Sequence, residues 1–121
     1  MTPEQEVKAK RLIDRQIQLS NATLAALLRV GLTDERPVQL DFFFNARDEA
    51  SARALIAHLA ENDCLDLKLE RSGSFLSRKF GVSGKSQPTV VTPEILAQWI
   101  PWMVVKGITR NCDFDGWGAE V

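Results

Sequence analysis

The stretch Cys64-Leu65-Asp66-Leu67-Lys68-Leu69-Glu70-Arg71, followed by Ser72-Gly73-Ser74 and then by Phe75 to Ser83, decides how this chain folds. Leu65, Leu67 and Leu69 alternate with Asp66, Lys68 and Glu70, the pattern of a strand with one dry face and one wet one. Ser72-Gly73-Ser74 supplies turn residues, and Phe75 to Ser83 is expected to return as the hairpin partner with Leu76, Phe80 and Val82 toward the core. What flanks this central hairpin then sets the topology.

Upstream, Pro37-Val38-Gln39-Leu40-Asp41-Phe42-Phe43-Phe44 reads as a strand with Val38, Leu40, Phe42 and Phe44 on one face. Phe43 points the other way and needs a cover, either the first helix or a partner. Between this strand and the hairpin, Arg47 to Asn62 reads as a helix with Ala50, Ala54, Leu55 and Leu59 along one stripe. Downstream, Gly84 to Pro88 is a loop and Val90-Val91 a brief extended piece. Thr92-Pro93-Glu94 then opens another helix with a capping hydroxyl, a proline in the first turn and an early carboxylate. Ile95, Leu96, Trp99, Met103 and Ile108 form its apolar side, and Pro101 predicts a kink near Gln98 to Ile100. A last strand follows over Phe114 to Val121.

The order strand, helix, strand, strand, helix, strand is that of an α+β, ferredoxin-like βαββαβ unit. It predicts a four-stranded antiparallel sheet with two helices on one face. Thr2-Pro3-Glu4 and the spacing of Ile13, Ile17, Leu24, Leu27 and Leu28 add an extra N-terminal helix over residues 3–30, with Gly31 as its stop and a break open at Ser20-Asn21. The chain of 121 residues is thus expected to be a single domain, 1–121, with its core over 37–121.

Composition narrows the function classes. A net charge of −1 gives no bias toward nucleic acid or anionic membrane, except through a local patch. The polar start Thr2-Pro3-Glu4-Gln5-Glu6 and the absence of a long apolar run predict a cytoplasmic protein with no membrane association. Cys64 and Cys112 are read as buried thiols. There is no phosphate-binding loop, dinucleotide fingerprint or zinc spacing, so no cofactor, no metal and no catalytic residue is expected. The lone His58 reads as a structural residue rather than a ligand or base. Asp113 and Asp115 are the one carboxylate pair open to an acid–base or cation reading. They share a side if their strand is regular and diverge if Asp115-Gly116 forms a bulge.

The closing run Cys112-Asp113-Phe114-Asp115-Gly116-Trp117-Gly118 is poor strand material by propensity, so its local backbone serves something beyond bulk packing. Trp117 is either a core plug or a rigid handle for another protein. In the setting of this topology, Phe114-Asp115-Gly116-Trp117-Gly118 resembles the terminal aromatic-Asp-Gly-Trp-Gly signature of the regulator of ribonuclease E activity B family. The resemblance implies a non-enzymatic regulator that binds a protein partner, a ribonuclease in the family. The candidate partner-binding residues are Phe43, Asp113, Asp115, Gly116 and Trp117, and a homodimer stays open. The alternative is an RNA-binding domain, since RNA-recognition modules share this topology and stack bases on sheet aromatics. Its candidate residues are Arg71, Arg78, Lys79, Phe80 and Lys85 on the basic hairpin.

Overall fold

The computed structural model describes residues 1–121 as three helices and a four-stranded antiparallel sheet. Helix α1 spans Pro3–Arg29, and its N-terminus is a complete capping box. The Gln5 N–H donates to Thr2 Oγ1 at 3.1 Å, and the Thr2 N–H donates to Gln5 Oε1 at 2.8 Å. The helix runs unbroken through Ser20-Asn21, because the Ser20 hydroxyl is buried and engaged by another element instead of competing for its own backbone. No helix is long and apolar enough to cross a membrane.

Strand β1 covers Asp41–Ala46, a shorter and later element than the expected 37–44. Ahead of it Val38 makes an isolated bridge to Thr89, with N–H to O distances of 2.9 Å in both directions. Leu40 is held there by the side chain of Ser86, whose Oγ accepts from the Leu40 N–H at 2.9 Å. Helix α2, Glu49–Glu61, is capped by Asp48, whose carboxylate accepts from the Ser51 N–H at 2.7 Å. Its buried stripe is Ala52, Leu55 and Leu59 with Ser51; Ala50 and Ala54 lie outside. The leucines set the face, and only residues three and four away from them share it.

Strands β2, Leu65–Ser74, and β3, Ser77–Lys85, form a hairpin longer than its sequence implied. Ser72-Gly73-Ser74 continues the ladder opposite Lys79, Arg78 and Ser77, so the turn is the dipeptide Phe75-Leu76. Leu76 is therefore no core residue: it is 93% exposed at the tip, and Phe75 is 85% exposed. Each added rung pairs backbone groups that an earlier turn would leave to water. Gly73 makes the last rungs feasible, since it adopts φ +88° and a Cβ there would lie 2.0 Å from the Ser77 carbonyl oxygen.

Helix α3, Pro93–Ile108, is capped by the Thr92 hydroxyl and continues through Pro101. Strand β4, Cys112–Gly118, begins two residues before the expected Phe114. The sheet order is β2-β3-β1-β4 with all pairs antiparallel. On one face α2 and α3 bury Phe42, Phe44, Val82 and Phe114 of the sheet. The rings of Phe44 and Phe114 meet edge to face at 5.3 Å between centroids, and Trp99 of α3 closes on Phe114 at 5.8 Å.

Helix α1 does not cover the other face. It packs beside α3 and along the outer edge of β4, and Phe43 stays 48% exposed. The physical reason is in its own residues: Gln16 and Ser20, both 4% exposed, are polar groups that need backbone or indole partners, and the rim of β4 offers them.

Candidate functional site

The uncovered sheet face is built by the outward alternation of β1 and β3. Phe43 lies between Ser83 of β3 and Gly116 of β4, and Lys68 stands beyond Ser83. The next row is Glu70, Gly81, Asn45 and Asp113. Phe43 thus rises from a floor of glycine and serine, with no bulky neighbour across either strand. Beside it lies a cleft of about 250 Å³ whose lining includes Asn45, Glu70, Lys79, Gly81 and Asp115. Gly81 in its wall lets the strands approach closely, as a Cβ there would meet the Phe44 carbonyl oxygen at 2.9 Å.

Charge on this face is balanced. Lys8, Lys68, Lys79 and Lys85 are matched by Asp41, Glu70, Asp113 and Asp115. Lys85 Nζ sits 2.5 Å from Asp41 Oδ1, which holds the Lys85 ammonium above its ordinary pKa, and Lys8 Nζ sits 2.8 Å from Asp113 Oδ1. The Ser83 hydroxyl donates to Glu70 at 2.8 Å. Asp41, Asp113 and Glu70 are thus held by Lys85, Lys8 and Ser83, while Lys68, Lys79 and Asp115 make no such contact, and a partner meets a patterned but nearly neutral surface.

The Asp115-Gly116 step is a bulge. Phe44 pairs with Phe114 and Phe43 with Gly116, leaving Asp115 as the additional residue in β4, and Gly116 takes φ +140°. The strand is therefore not regular between the two aspartates. Asp113 is engaged by Lys8, while Asp115 is exposed and has no ion-pair partner.

Trp117 emerges from the bulge on the opposite side. It is 8% exposed, and its Nε1 donates to Ser20 Oγ of α1 at 2.8 Å. It is the core plug of the two readings, and it presents no ring to a partner. Three contacts then fasten α1 to β4: Lys8 to Asp113, Gln16 Nε2 donating to the Phe114 carbonyl at 3.3 Å, and Trp117 to Ser20. Of the five predicted partner-binding residues, Phe43, Asp113, Asp115 and Gly116 come together on one face and rim, and Trp117 supports them from beneath.

The hairpin residues do not converge. Lys79 and Lys85 stand on the open face, whereas alternation puts Phe80 on the helix side with Val82. Arg71 lies on that side too, paired with Glu49 at the start of α2. Arg78 sits over the ring of Phe75 at the tip, 5.9 Å from its centroid. The position across from Phe43 on β3 is Ser83, so no second ring is available there to continue a stack of bases.

His58 is half-buried on α2, and burial first, then Arg110 and Lys106, hold its pKa below the ordinary value. No three His, Cys, Asp or Glu side chains gather where they could hold a metal ion. Cys112 is fully buried and its thiol is pushed up to about 11, by burial above all and then by Asp113 and Asp48. Cys64 is likewise raised by burial, so neither thiol is activated.

Asn45, Glu70 and Gly81 escaped the sequence reading. Their signal was present in the same alternation that placed the core: each lies one step out of phase with Phe44, Leu69 and Val82. Compared with known proteins, the chain matches no family model and no curated sequence.

Proposed function

We propose that this chain is a non-enzymatic regulatory module that binds a protein partner through its open sheet face, centred on Phe43 and bordered by the Asp115-Gly116 bulge. The observation that carries the reading is Phe43 itself. A phenylalanine 48% exposed in the middle of a four-stranded sheet, on a floor of Gly116 and Ser83, is a large apolar group that its own chain leaves uncovered. Charge neutrality around it favours a protein surface over a polyanion, which would need a net positive track.

The strand order β2-β3-β1-β4 supports assigning the α+β fold to the ferredoxin-like split βαββαβ type. The work done by each residue of Phe114-Asp115-Gly116-Trp117 supports the resemblance to the regulator of ribonuclease E activity B family: a core ring, a bulge and a buried lock. On that resemblance the partner is a ribonuclease. Titration calorimetry with purified ribonuclease E tests the reading. Binding is expected to weaken by about tenfold to a hundredfold in Phe43→Ala, as for a central aromatic hot spot, with thermal stability unchanged. Equal affinity in wild type and Phe43→Ala would remove the open face as the interface. In parallel, a single-stranded oligoribonucleotide binding tightly at low salt would transfer the function to RNA.

A further inference from the structure

A second concave surface lies on the far side of the molecule, between α2 and α3, and it is independent of the sheet-face reading. Its inner part is a hollow of about 430 Å³ with Leu40, Cys64, Pro88, Ile95, Trp99 and Trp102 among its lining residues. That volume falls within the range of small-molecule sites. The hollow is preformed. The loop that walls it is fixed by Ser86, whose N–H donates to the Leu40 carbonyl at 2.9 Å, and by Gln87, whose amide donates to the Asp63 carbonyl at 3.0 Å. Asp63 brings the one carboxylate of the lining.

Trp102, 37% exposed, is the shared wall between this hollow and a second one lined by His58, Val105, Lys106 and Arg110. Lys106 Nζ stands over the Trp102 ring, 4.9 Å from its centroid. Neither Lys106 nor Arg110 has a carboxylate partner, although Arg110 Nη1 is steadied by the Lys106 carbonyl at 3.2 Å and the Thr109 hydroxyl at 2.9 Å. The positive field of the pair is felt by His58, whose protonation it opposes; Glu61 acts the other way and is the weaker influence. An apolar chamber thus opens, across one indole, onto two cations that the protein leaves unneutralised.

We propose that this groove binds a small anionic amphiphile, a carboxylate carried on an apolar chain or ring. The apolar body fills the hollow beneath Trp99 and Trp102, and the carboxylate meets Lys106 and Arg110. Charge complementarity fixes the sign of the head group, and the lining fixes the character of the body.

The three tryptophans make the test internal to the protein. Decanoate is titrated into the ¹⁵N-labelled chain, and the indole N–H resonances are followed after assignment by single Trp→Phe variants. The proposal expects saturable shifts of Trp99 and Trp102 with the buried Trp117 unmoved. Decanol, which keeps the chain and lacks the charge, is expected to bind about tenfold more weakly or worse, and the double variant Lys106→Gln, Arg110→Gln to lose about tenfold in decanoate affinity. Absence of a saturable shift overturns the proposal, as does a common shift of all three indoles. Equal binding of decanol and decanoate, or an unchanged affinity in the double variant, overturns it as well.

Discussion

At the scale of single residues, two buried groups set measurable limits. Trp117 Nε1 has Ser20 Oγ as its partner, and removing that hydroxyl strands a buried donor. Ser20→Ala is expected to cost about 1–3 kcal/mol, read as a lowered urea midpoint at constant slope. The second group is Cys112, whose thiol ionises only at about 11 in the folded chain against an ordinary value of 9.0. The unfolded thiol gives up its proton first as pH rises, so the native state holds the extra proton between those values and loses stability across that window. The loss should be visible between about pH 9 and about pH 11 as a falling denaturation midpoint, and Cys112→Ala should flatten that part of the profile. A profile identical in both proteins would show that Cys112 is not its source.

At the scale of elements, the edge of β4 and the tip of the hairpin show opposite solutions to one problem, unpaired strand backbone. The rim of β4 is sealed by α1, with Gln16 reaching the Phe114 carbonyl from a site 4% exposed. Gln16→Ala is expected to destabilise by about 1–3 kcal/mol, again by denaturant titration, through a buried carbonyl left alone. The hairpin instead zips until only Phe75-Leu76 remain as the turn. Gly73→Ala forces a side chain into φ +88° and against the Ser77 carbonyl, and should cost more than about 1 kcal/mol while freeing the tip to exchange its amide hydrogens faster.

These two places also mark where sequence reading reached its limit. The alternations of Leu65 to Leu69 and of Phe42 and Phe44 mark β2 and β1, because period-two burial is local information, while β4 follows only from the order of the elements. The extra rungs at Ser72 to Ser74 were illegible because Ser and Gly signal turns by local preference, and only pairing with the opposite strand overrides it. The placement of α1 was equally hidden. An apolar stripe says that a helix must be covered, while Gln16 and Ser20, the residues that choose the rim of β4, read as ordinary helix polar groups until their partners are known. For the site, the bulge at Asp115-Gly116 was legible as an option, whereas the glycine and serine floor around Phe43 was not, because it depends on the register between strands.

For the whole molecule, the two faces divide the work. The helix-covered face supplies stability, and the open face carries charges of both signs, two pairs of them bridged, around one exposed ring. Phe43→Ala should therefore leave the free protein within about 0.5 kcal/mol of wild type, whereas Phe42→Ala, one residue away and 0% exposed, should cost about 3–5 kcal/mol. Paired thermal melts of the two variants check this contrast. The fastening of α1 to β4 has a further consequence during synthesis. Helix α1 ends at Arg29, and the two elements it packs against, α3 and β4, are complete only at Ile108 and Gly118. At about 5–20 residues per second, the helix waits roughly 4–18 s on the ribosome with its apolar stripe bare. Through that interval the nascent helix is a target for any chaperone that recognises apolar helices, and its late docking makes sheet closure the step at which the chain leaves such custody.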